Sequence, residues 1–415
     1  MRILFLHNNF PAQYRHVARE LAAKKGNKVV FASHHVNGKI PGVLNAQYKP
    51  HRDGKAETHH YLRPLETAVI NGQSVFRLCL ELKKKGFEPD IICSHSGWGN
   101  GLYAKDAFPK AKLLSYFEWY YHAHGSDADF LEPAKIGFDD EGRIRTKNTP
   151  LLMDLAACDW GQTPTNFQLS QIPPVFHSKI SVLHDGVDTN FFKPSPNVSR
   201  KIGNLDLSNA MEILTYATRG MEPYRGFPEF MRAAAILMKA RPNLHVVVVG
   251  EDRVAYGKKL PKDEGWGKRM VEELNPDPER LHFTGPLPYG DYLKVLQFST
   301  VQAYLTVPFV LSWSLIESLA CGALMVASDT DPVREVITHE DNGFLADFFD
   351  IEAFAAQIEY VLDNTEDLQH IRESARQTVL EHYAHKDLLP RQLKLIEDIA
   401  DGAIPPSEKP RFEAY

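Results

Sequence analysis

The stretch EILTYATRGMEPYRGFPEFMRAAAILMKARPNLHVVVVG, residues 212–250, decides the fold. EILTYAT predicts a strand, RGMEPYRG a loop rich in turn formers, and FPEFMRAAAILMKARP a helix whose apolar residues recur at helical spacing. LHVVVVG then predicts a strand that is buried on both faces. Strand, helix and strand in this order are typical of a parallel α/β sheet.

The same alternation extends in both directions. Before residue 212 it includes the segments RILFLH, YRHVARELAAKKG, KVVFAS, RLCLELKKKGFEPDIICSH and KLLSYFEW. After residue 250 it includes RLHFTGP, VQAYLTVP, ALMVASD and IEAFAAQIEYVLDN. We therefore predict an α/β protein with two Rossmann-like, doubly wound parallel-sheet domains that face a central cleft, where ligands bind outside the carboxyl ends of the strands.

The proline-containing segment FFKPSPNVSRKIGN predicts a linker between the two halves. A chain of 415 residues, at roughly 150 residues per domain, also suggests two or three domains. We predict an amino-terminal domain at 1–190, a second domain at 191–380, and a helix and tail at 381–415 that pack back on the first domain.

Composition favours an ordinary globular protein, with 43% apolar and 24% charged residues. The net charge of −6 argues against a general nucleic-acid binder. The four cysteines form no C-x-x-C pair, and no apolar run is long enough to span a membrane. These features, and the lack of a signal peptide, predict a cytoplasmic protein. Lys83–Lys85 and Tyr120–Tyr121 are candidates for peripheral contact with a membrane surface, although the lysines also fit a solvated helix end.

Arg219 and Arg225 are the first candidate binding residues. Each lies in the loop after a predicted strand, and Gly226 and a helix follow Arg225. Two guanidinium groups beside a helix start suit a diphosphate. The alternative is that both are solvated loop charges, paired with Glu222.

The apolar run VPFVLSWSLIESLACG contains one carboxylate, Glu317. Ser314 and Glu317 match the spacing of a capping box, and Gly322 matches a helix stop. This local role explains the carboxylate without a ligand. The alternative is that Glu317 binds the two hydroxyl groups of a ribose, as acidic residues do in dinucleotide-binding folds.

Glu118 ends the strand KLLSYFEW and could act on a substrate hydroxyl, or be a solvated or ion-paired carboxylate. Nearby His122 and His124 lack further metal-ligand spacing. Two D-x-D pairs, at 127–129 and 329–331, could hold a divalent metal, but the pattern is short and arises easily by chance.

The order of these motifs resembles that of the retaining GT-B glycosyltransferases of family 4. SVLHDGVDTNFFKP, TRGMEPYRG, VVVVGED, LHFTGPLPYGDYLKVL, ESLACGALMVASD and PVREVITHEDNGFL occur in the family's order. The chain also resembles a bacterial subgroup that carries YFEWYY and PFVLSWSLIE. The resemblance implies a donor that is a nucleoside diphosphate sugar, with no metal and no other cofactor.

The resemblance also implies roles for individual residues. Arg219 and Arg225 would bind the donor diphosphate, Glu317 the ribose, and the main-chain amides near the helix start the sugar or phosphate. The complete set of implied donor-side residues is Arg219, Arg225, Leu311, Ser312, Trp313, Glu317, Gly285 and Leu287. The loop that would lie near the acceptor contains Asn8, Asn9, Phe10 and Gln13.

Two residues depart from the family pattern. Phe309 stands eight residues before Glu317, where the family usually has a glutamate that contacts the donor sugar. Glu118 stands about where the family often has a histidine close to the reacting sugar. Phe309 therefore bears on sugar recognition, and Glu118 joins Arg219 and Arg225 as a candidate catalytic residue.

The function predicted from these features is retaining transfer of a sugar from a UDP- or GDP-sugar to the hydroxyl of a glycan, glycolipid or small molecule, in polysaccharide or glycolipid assembly. One alternative is a sugar-nucleotide epimerase, which would change the donor sugar without an acceptor. Another is a non-catalytic sugar-nucleotide-binding homologue, which the residue at Phe309 motivates.

Overall fold

A computed structural model describes residues 1–404, so most of the tail GAIPPSEKPRFEAY lies outside the described residues. The chain forms two compact units. Unit 1 comprises Met1–Asp185 and the chain from Lys386, and unit 2 comprises Gly186–His385. In the described residues, no helix is both long and apolar enough to cross a membrane.

Unit 1 is built on a parallel sheet with the strand order β5-β3-β1-β6-β7-β8-β9. The interior strand β1 is almost wholly buried, as expected for a strand covered on both faces. The strands of unit 1 are β1 (Arg2–Leu6), β2 (Asn9–Phe10), β3 (Lys28–Ser33), β4 (His35–Val36), β5 (Val43–Gln47), β6 (Ile91–His95), β7 (Lys112–Tyr116), β8 (Trp160–Thr163) and β9 (Ile180–Val182). The short strands β2 and β4 pair with each other.

Helices cover the sheet of unit 1 through apolar faces. One core cluster joins Leu4, Ile92 and Leu113 to Val75 and Leu155 of two helices. The helices before residue 185 are α1 (Arg15–Ala23), α2 (Arg63–Lys84), α3 (Ala104–Ala107), α4 (Asp127–Phe130), α5 (Phe138–Lys147), α6 (Thr149–Ala157) and α7 (Asn166–Gln171).

Unit 2 repeats this architecture with the parallel strand order β14-β13-β12-β15-β16-β17, and the hairpin β10–β11 precedes it. Within β13, Val246, Val247 and Val248 are fully buried, which agrees with the strand predicted from the apolar run. The strands are β10 (Lys201–Ile202), β11 (Leu205–Asp206), β12 (Glu212–Gly220), β13 (Leu244–Glu251), β14 (Leu281–Gly285), β15 (Val301–Tyr304), β16 (Met325–Ser328) and β17 (Phe344–Ala346).

The helices of unit 2 are α8 (Phe227–Ala240), α9 (Trp266–Leu274), α10 (Tyr289–Phe298), α11 (Trp313–Ala320), α12 (Asp331–Arg334), α13 (Ile351–Asp363) and α14 (Gln369–His382). The final helix, α15 (His385–Ala400), returns the chain to unit 1. Its apolar residues Leu388, Leu395 and Ile396 pack in the core that contains Ile3 and Phe5 of β1. The prediction of two Rossmann-like parallel-sheet domains is confirmed.

Each sheet has one point at which the strand order reverses. In unit 1 the chain leaves β1 toward β3 and β5, and later resumes on the other side of β1 with β6. In unit 2 it leaves β12 toward β13 and β14, and resumes on the other side of β12 with β15. Parallel sheets of this kind bind ligands at such switch points, outside the carboxyl ends of the strands.

Candidate functional site

Arg225 bridges the switch point of unit 2. It lies in the 3-10 turn Pro223–Arg225 after β12, and its side chain is 5% exposed. Its Nη1 donates hydrogen bonds to Thr306 Oγ1 at 2.8 Å and to the carbonyl oxygen of Val310 at 2.9 Å, both in the loop after β15. The strand–loop–helix pattern predicted from the sequence therefore brings this guanidinium to the reversal of strand order.

Glycine is required where this loop enters α8. Gly226 adopts a left-handed conformation with φ of 59°, and a Cβ built there would approach Leu305 Cβ to 2.4 Å. A side chain at this position would displace the loop that carries Arg225.

Two aromatic rings face the Arg225 guanidinium. Its central carbon lies 5.1 Å from the ring centroid of Tyr256 and 5.8 Å from that of Phe309. Phe309 is 8% exposed and also makes edge contacts with Tyr256 and Tyr224. Ring faces attract a cation without neutralising it. Arg225 forms no ion pair with any residue from 1 to 404, so the phenylalanine at the family's glutamate position leaves its charge uncompensated in the described chain.

Glu222 fixes the loop that carries Tyr256. This carboxylate is fully buried and accepts hydrogen bonds from the main-chain N–H groups of Ala255, Tyr256 and Gly257, at 2.7–3.1 Å. It forms no ion pair with either candidate arginine in the described chain, so the alternative of Glu222 as their partner is wrong. Glu222 therefore holds the loop after β13 in a conformation that keeps the Tyr256 ring in contact with the Arg225 guanidinium.

Arg219 lies near the carboxyl end of β12 and differs from Arg225 in its surroundings. Its side chain is exposed, and it forms no hydrogen bond or ion pair with any residue from 1 to 404. Near the end of β12, the Arg225 guanidinium is therefore held by hydrogen bonds, whereas the Arg219 guanidinium has no partner among the described residues.

The helix α11 begins differently from the capping box that its sequence suggested. Ser312 is the N-cap, and its side chain accepts a hydrogen bond from the N–H of Ser314. Glu317 consequently lies in the second turn, too far along the helix to cap it, and the capping-box prediction is wrong. The predicted stop is present, because Gly322 (φ 69°) and Ala323 close the helix with bonds to Leu319 and Ser318.

Glu317 is buried and accepts a hydrogen bond from the hydroxyl of Tyr292 on α10 at 2.9 Å. Burial raises the pKa of the Glu317 carboxyl to about 7, because the low-polarity surroundings disfavour its charge. Tyr292 packs on the same apolar cluster as Leu287, while Gly285 ends the strand β14 with φ of 67°. A buried carboxylate with one hydroxyl partner can still accept hydrogen bonds from a ligand.

The amides predicted at the start of α11 are not equivalent. The Ser312 N–H already donates to the Tyr304 hydroxyl at 2.8 Å. For the N–H groups of Leu311 and Trp313, no acceptor is found among the described residues. Leu311 and Trp313 therefore retain main-chain donors for a ligand, whereas Ser312 does not.

The switch point of unit 1 carries two histidines that sequence analysis missed. His7 follows β1 and His95 ends β6, and their buried rings meet edge-on with centroids 4.9 Å apart. The His95 ring also stacks on Trp98 at 4.2 Å. Burial lowers the pKa of His7 well below its usual value, so His7 is neutral near pH 7. A histidine at the end of each of the apolar segments RILFLH and DIICSH was the available signal.

Asn8 organises a polar network next to His7. Its Oδ1 accepts hydrogen bonds from the hydroxyl of Tyr48 at 2.9 Å and from the side-chain amides of Asn71 and Asn100 at 3.1 and 3.2 Å. The network contains no charged group, so it offers hydrogen bonds to a neutral polar ligand.

The other residues of the predicted acceptor loop are dispersed. Phe10 is buried in the core, where its ring packs edge-on against Phe31. Asn9 is exposed on β2, and its N–H donates to His7 Nδ1 at 2.8 Å. Gln13 lines a separate cavity of about 20 Å³. Only Asn8 of this loop shares a pocket with Glu118.

Glu118 lies beyond the end of β7, and its side chain is 42% exposed. Its Oε2 lies 3.3 Å from His95 Nε2. The other ring nitrogen, Nδ1, lies 2.9 Å from the carbonyl oxygen of Ser96, so each ring nitrogen faces an oxygen acceptor, and the ring donates to both oxygens when both of its nitrogens carry a proton. His95 thus orients Glu118, and both line a pocket of about 540 Å³ that lies wholly within unit 1.

The D-x-D pairs are engaged locally. Asp127 and Asp129 lie in the first turn of α4, where Asp129 completes a capping box with Ser126. Asp329 and Asp331 both form ion pairs with Arg334. Residues 1–404 contain no group of three or more potential ligands arranged to hold a metal ion.

Two family models match consecutive parts of the chain. The model described as "Glycosyl transferase family 4 group" matches residues 25–192, and "Glycosyl transferases group 1" matches residues 207–378. A D-inositol 3-phosphate glycosyltransferase of Thermobispora bispora is 26% identical over 243 residues, which are 56% of this chain and 54% of that protein. The match therefore spans about half the length of this curated relative.

Solved structures share the fold at low sequence identity. Sucrose-phosphate synthase from Thermosynechococcus elongatus has a TM-score of 0.73 at 16% identity, over 97% of this chain and 99% of that one. Anabaena Alr3699/HepE, solved in complex with UDP and glucose, has a TM-score of 0.69 at 15% identity, over 96% of this chain and 100% of that one. From the two matched models and these similarities, the chain belongs to the GT-B glycosyltransferases of family 4.

Proposed function

We propose that this protein transfers a sugar from a nucleoside diphosphate sugar, a UDP- or GDP-sugar, to an acceptor hydroxyl with retention of the anomeric configuration. The observation that carries the proposal is the uncompensated guanidinium of Arg225 at the switch point of unit 2. The UDP and glucose in the HepE complex support a UDP-sugar as the first donor to test. Polysaccharide or glycolipid assembly remains the proposed context.

In the proposed reaction, unit 2 binds the donor. Arg225 and the exposed Arg219 bind the diphosphate, Glu317 accepts hydrogen bonds from the ribose hydroxyls, and the N–H groups of Leu311 and Trp313 point to the phosphate or sugar. These cations are aimed at the oxygens on which negative charge develops as the sugar leaves. The route uses no cofactor and no metal, which is an implication of the family resemblance.

The bond between the anomeric carbon and the leaving phosphate oxygen breaks, and a bond from the same carbon to the acceptor oxygen forms on the same face. The leaving phosphate takes the acceptor proton, so no protein base is needed. Unit 1 binds the acceptor in the pocket that contains Asn8 and Glu118. Glu118, held by His95, orients the acceptor hydroxyl.

A thermal-shift panel of nucleoside diphosphates and sugar nucleotides tests the donor assignment. A ligand at 100-fold excess over its dissociation constant stabilises the folded state by about 2.7 kcal/mol. We expect at least one UDP- or GDP-compound to raise the melting temperature. A flat panel would reject every nucleotide-based function, and donor binding without release of nucleoside diphosphate over an acceptor panel would favour a non-catalytic homologue.

A further inference from the structure

Two cations that line the pocket of unit 1 form no ion pair within residues 1–404. Besides Asn8 and Glu118, it is lined by Arg52, Arg63 and Lys147. Arg52 forms an ion pair with Glu66 at 2.7 Å. Arg63 and Lys147 form no ion pair with any residue in the described range, so their charges are available to a ligand.

Lys147 is fixed in the pocket, although it is the last residue of α5. Its Nζ lies 3.5 Å from the ring centroid of Tyr121. The next residue, Asn148, is buried and exchanges two hydrogen bonds with the main chain of Tyr121, at 2.9 and 2.8 Å. These bonds tie the end of α5 to the segment that carries the aromatic ring, so the Tyr121 ring is held beside Lys147.

The guanidinium of Arg63, at the start of α2, is also fixed. Nε donates to the carbonyl oxygen of Thr58 at 3.0 Å, and Nη2 donates to that of Ala56 at 2.6 Å. Neutral carbonyl groups orient the guanidinium but do not cancel its charge. One guanidinium and one ammonium are therefore held in a single pocket by neutral partners.

Partial burial disfavours the charged form of Lys147, and the nearby carboxylate of Asp127 offsets this effect only in part. Desolvation lowers the pKa of its ammonium to about 8. A ligand anion would replace the lost hydration and provide charge-assisted hydrogen bonds. Such an arrangement is typical of a binding position for a negatively charged group.

We propose that the acceptor carries a phosphate or carboxylate group, and that Lys147 and Arg63 bind this group in the pocket of unit 1. The proposal rests on the proposed transferase function, because it identifies the pocket as the acceptor site. The strand topology locates this site but does not specify its ligand. The proposal adds the substrate class, which is an anionic sugar, polyol or lipid headgroup.

Binding of matched neutral and anionic probes to the full chain tests this proposal. The probes are glucose, glucose 6-phosphate and glucuronate, with dissociation constants from saturation-transfer NMR, and inorganic phosphate as a competitor. We expect the anionic sugars to bind at least about tenfold more tightly than glucose, since a charge-assisted bond contributes about that factor. We expect phosphate to displace them. Equal binding of glucose and both anionic sugars would overturn the proposal.

Variants separate the pocket from general charge effects. Lys147→Met and Arg63→Gln should each remove most of the preference for the anionic probes. Lys147→Arg should retain it, because the charge remains. Lys110→Met removes an exposed charge elsewhere on unit 1 and should change nothing. An equal loss in the Lys110 and Lys147 variants, or no loss in either pocket variant, would contradict the assignment.

The dependence on pH gives a readout that a structural role of Lys147 would not move. The ammonium is charged below about pH 8 and loses its charge above it. Binding of glucuronate, whose charge is constant in this range, should weaken between about pH 7 and pH 9 in the wild type and stay constant in Lys147→Arg. The other charged or titratable groups near Lys147 or lining the pocket are Asp127, Arg143, Tyr121, Arg52, Asp53, Arg63, Glu118, His34 and His95. A wild-type profile that matches Lys147→Arg would contradict the role of Lys147.

Two further measurements identify the source of the anion and distinguish failure of the anion-binding proposal from failure of the proposed transferase function. Sedimentation with phosphatidylcholine vesicles, with and without phosphatidylglycerol, distinguishes a lipid headgroup from a soluble sugar phosphate, and dependence on Lys147 in either case supports the proposal. Nucleotide thermal shifts are measured on the same samples. If nucleotides fail to bind while the anionic sugars bind, the transferase function fails and the anion position stands. The reverse result rejects only the anion position.

Discussion

The two switch points have the same topology and opposite chemistry. In unit 2 the reversal of strand order is bridged by Arg225, a cation held by neutral oxygens and two aromatic rings. In unit 1 the equivalent place holds the edge-on pair His7 and His95 beside the uncharged network of Asn8. Parallel sheets bind ligands at such switch points, and in the proposed function the side chains select a diphosphate in unit 2 and acceptor hydroxyl groups in unit 1.

The largest expected effect is at the cationic switch point. We predict that Arg225→Ala lowers kcat/KM for transfer by about a thousandfold or more, because a preorganised charge is removed from the leaving diphosphate. The free energy of unfolding should also fall, by about 1–3 kcal/mol, because Thr306 and Val310 lose a buried donor. Steady-state kinetics and chemical denaturation measure the two quantities.

A matched control for Arg225→Ala is Arg232→Ala on α8, which breaks an exposed ion pair with Glu273. This variant should change stability by less than about 1 kcal/mol and leave transfer unchanged. Near-normal activity of Arg225→Ala in a folded protein would remove the contrast between the two switch points.

The next largest effect is expected for Glu317→Gln, which should lower the affinity for nucleotide and raise the stability of the fold. Glu317→Gln should weaken nucleotide binding about tenfold to 100-fold, because charge-assisted bonds to the ribose are lost. Because its folded pKa of about 7 exceeds the unfolded value, the carboxyl stabilises the fold below about pH 4.5 and loses that contribution as pH rises through 7.

At pH 8, Glu317→Gln should therefore raise the free energy of unfolding by up to about 3 kcal/mol, and the gain should vanish near pH 4. Denaturation at both pH values measures the change in the free energy of unfolding, and nucleotide titration measures the change in affinity. A variant that binds nucleotide normally would exclude Glu317 as the ribose ligand, whatever its stability.

The smallest effect is expected at the switch point of unit 1. If the leaving phosphate takes the acceptor proton, Glu118→Gln retains a polar group beside His95 and should lower kcat by less than about tenfold, with the change mainly in the KM of the acceptor. A general base would contribute about 10²- to 10⁴-fold. A loss of that size in kcat, with an altered pH profile, would assign proton abstraction to Glu118.

Local patterns predicted the sheets well and the side-chain partners poorly. The buried strands and the helix stop at Gly322 could be predicted because each depends on residues that are close in sequence. The capping box at Ser314 failed because the helix begins two residues earlier, with Ser312 as its cap. Tyr292, the actual partner of Glu317, comes from another helix and leaves no local signal.

The candidate site shows the same division. Arg219 and Arg225 were identified from their position after a strand, but the contrast between a buried and an exposed guanidinium depends on loops after β13 and β15. The pairing of His95 with Glu118 joins the ends of two strands, so spacing along the chain could not reveal it. The sequence showed that Phe309 replaces the glutamate usual in the family. The structure shows what the phenylalanine does there, since its ring contacts the Arg225 guanidinium without neutralising it.

The most direct test of the central claim compares a nucleoside diphosphate with the corresponding monophosphate, using the base selected by the thermal-shift panel. Arg219 is exposed and unengaged by any described residue, so Arg219→Ala should leave the fold unchanged, with Lys239→Ala on α8 as the matched surface control. Calorimetric titration should show the diphosphate binding at least about tenfold more tightly in the wild type and in Lys239→Ala, with most of that preference lost in Arg219→Ala. Equal affinity for the two nucleotides, or an undiminished preference in Arg219→Ala, would contradict the account.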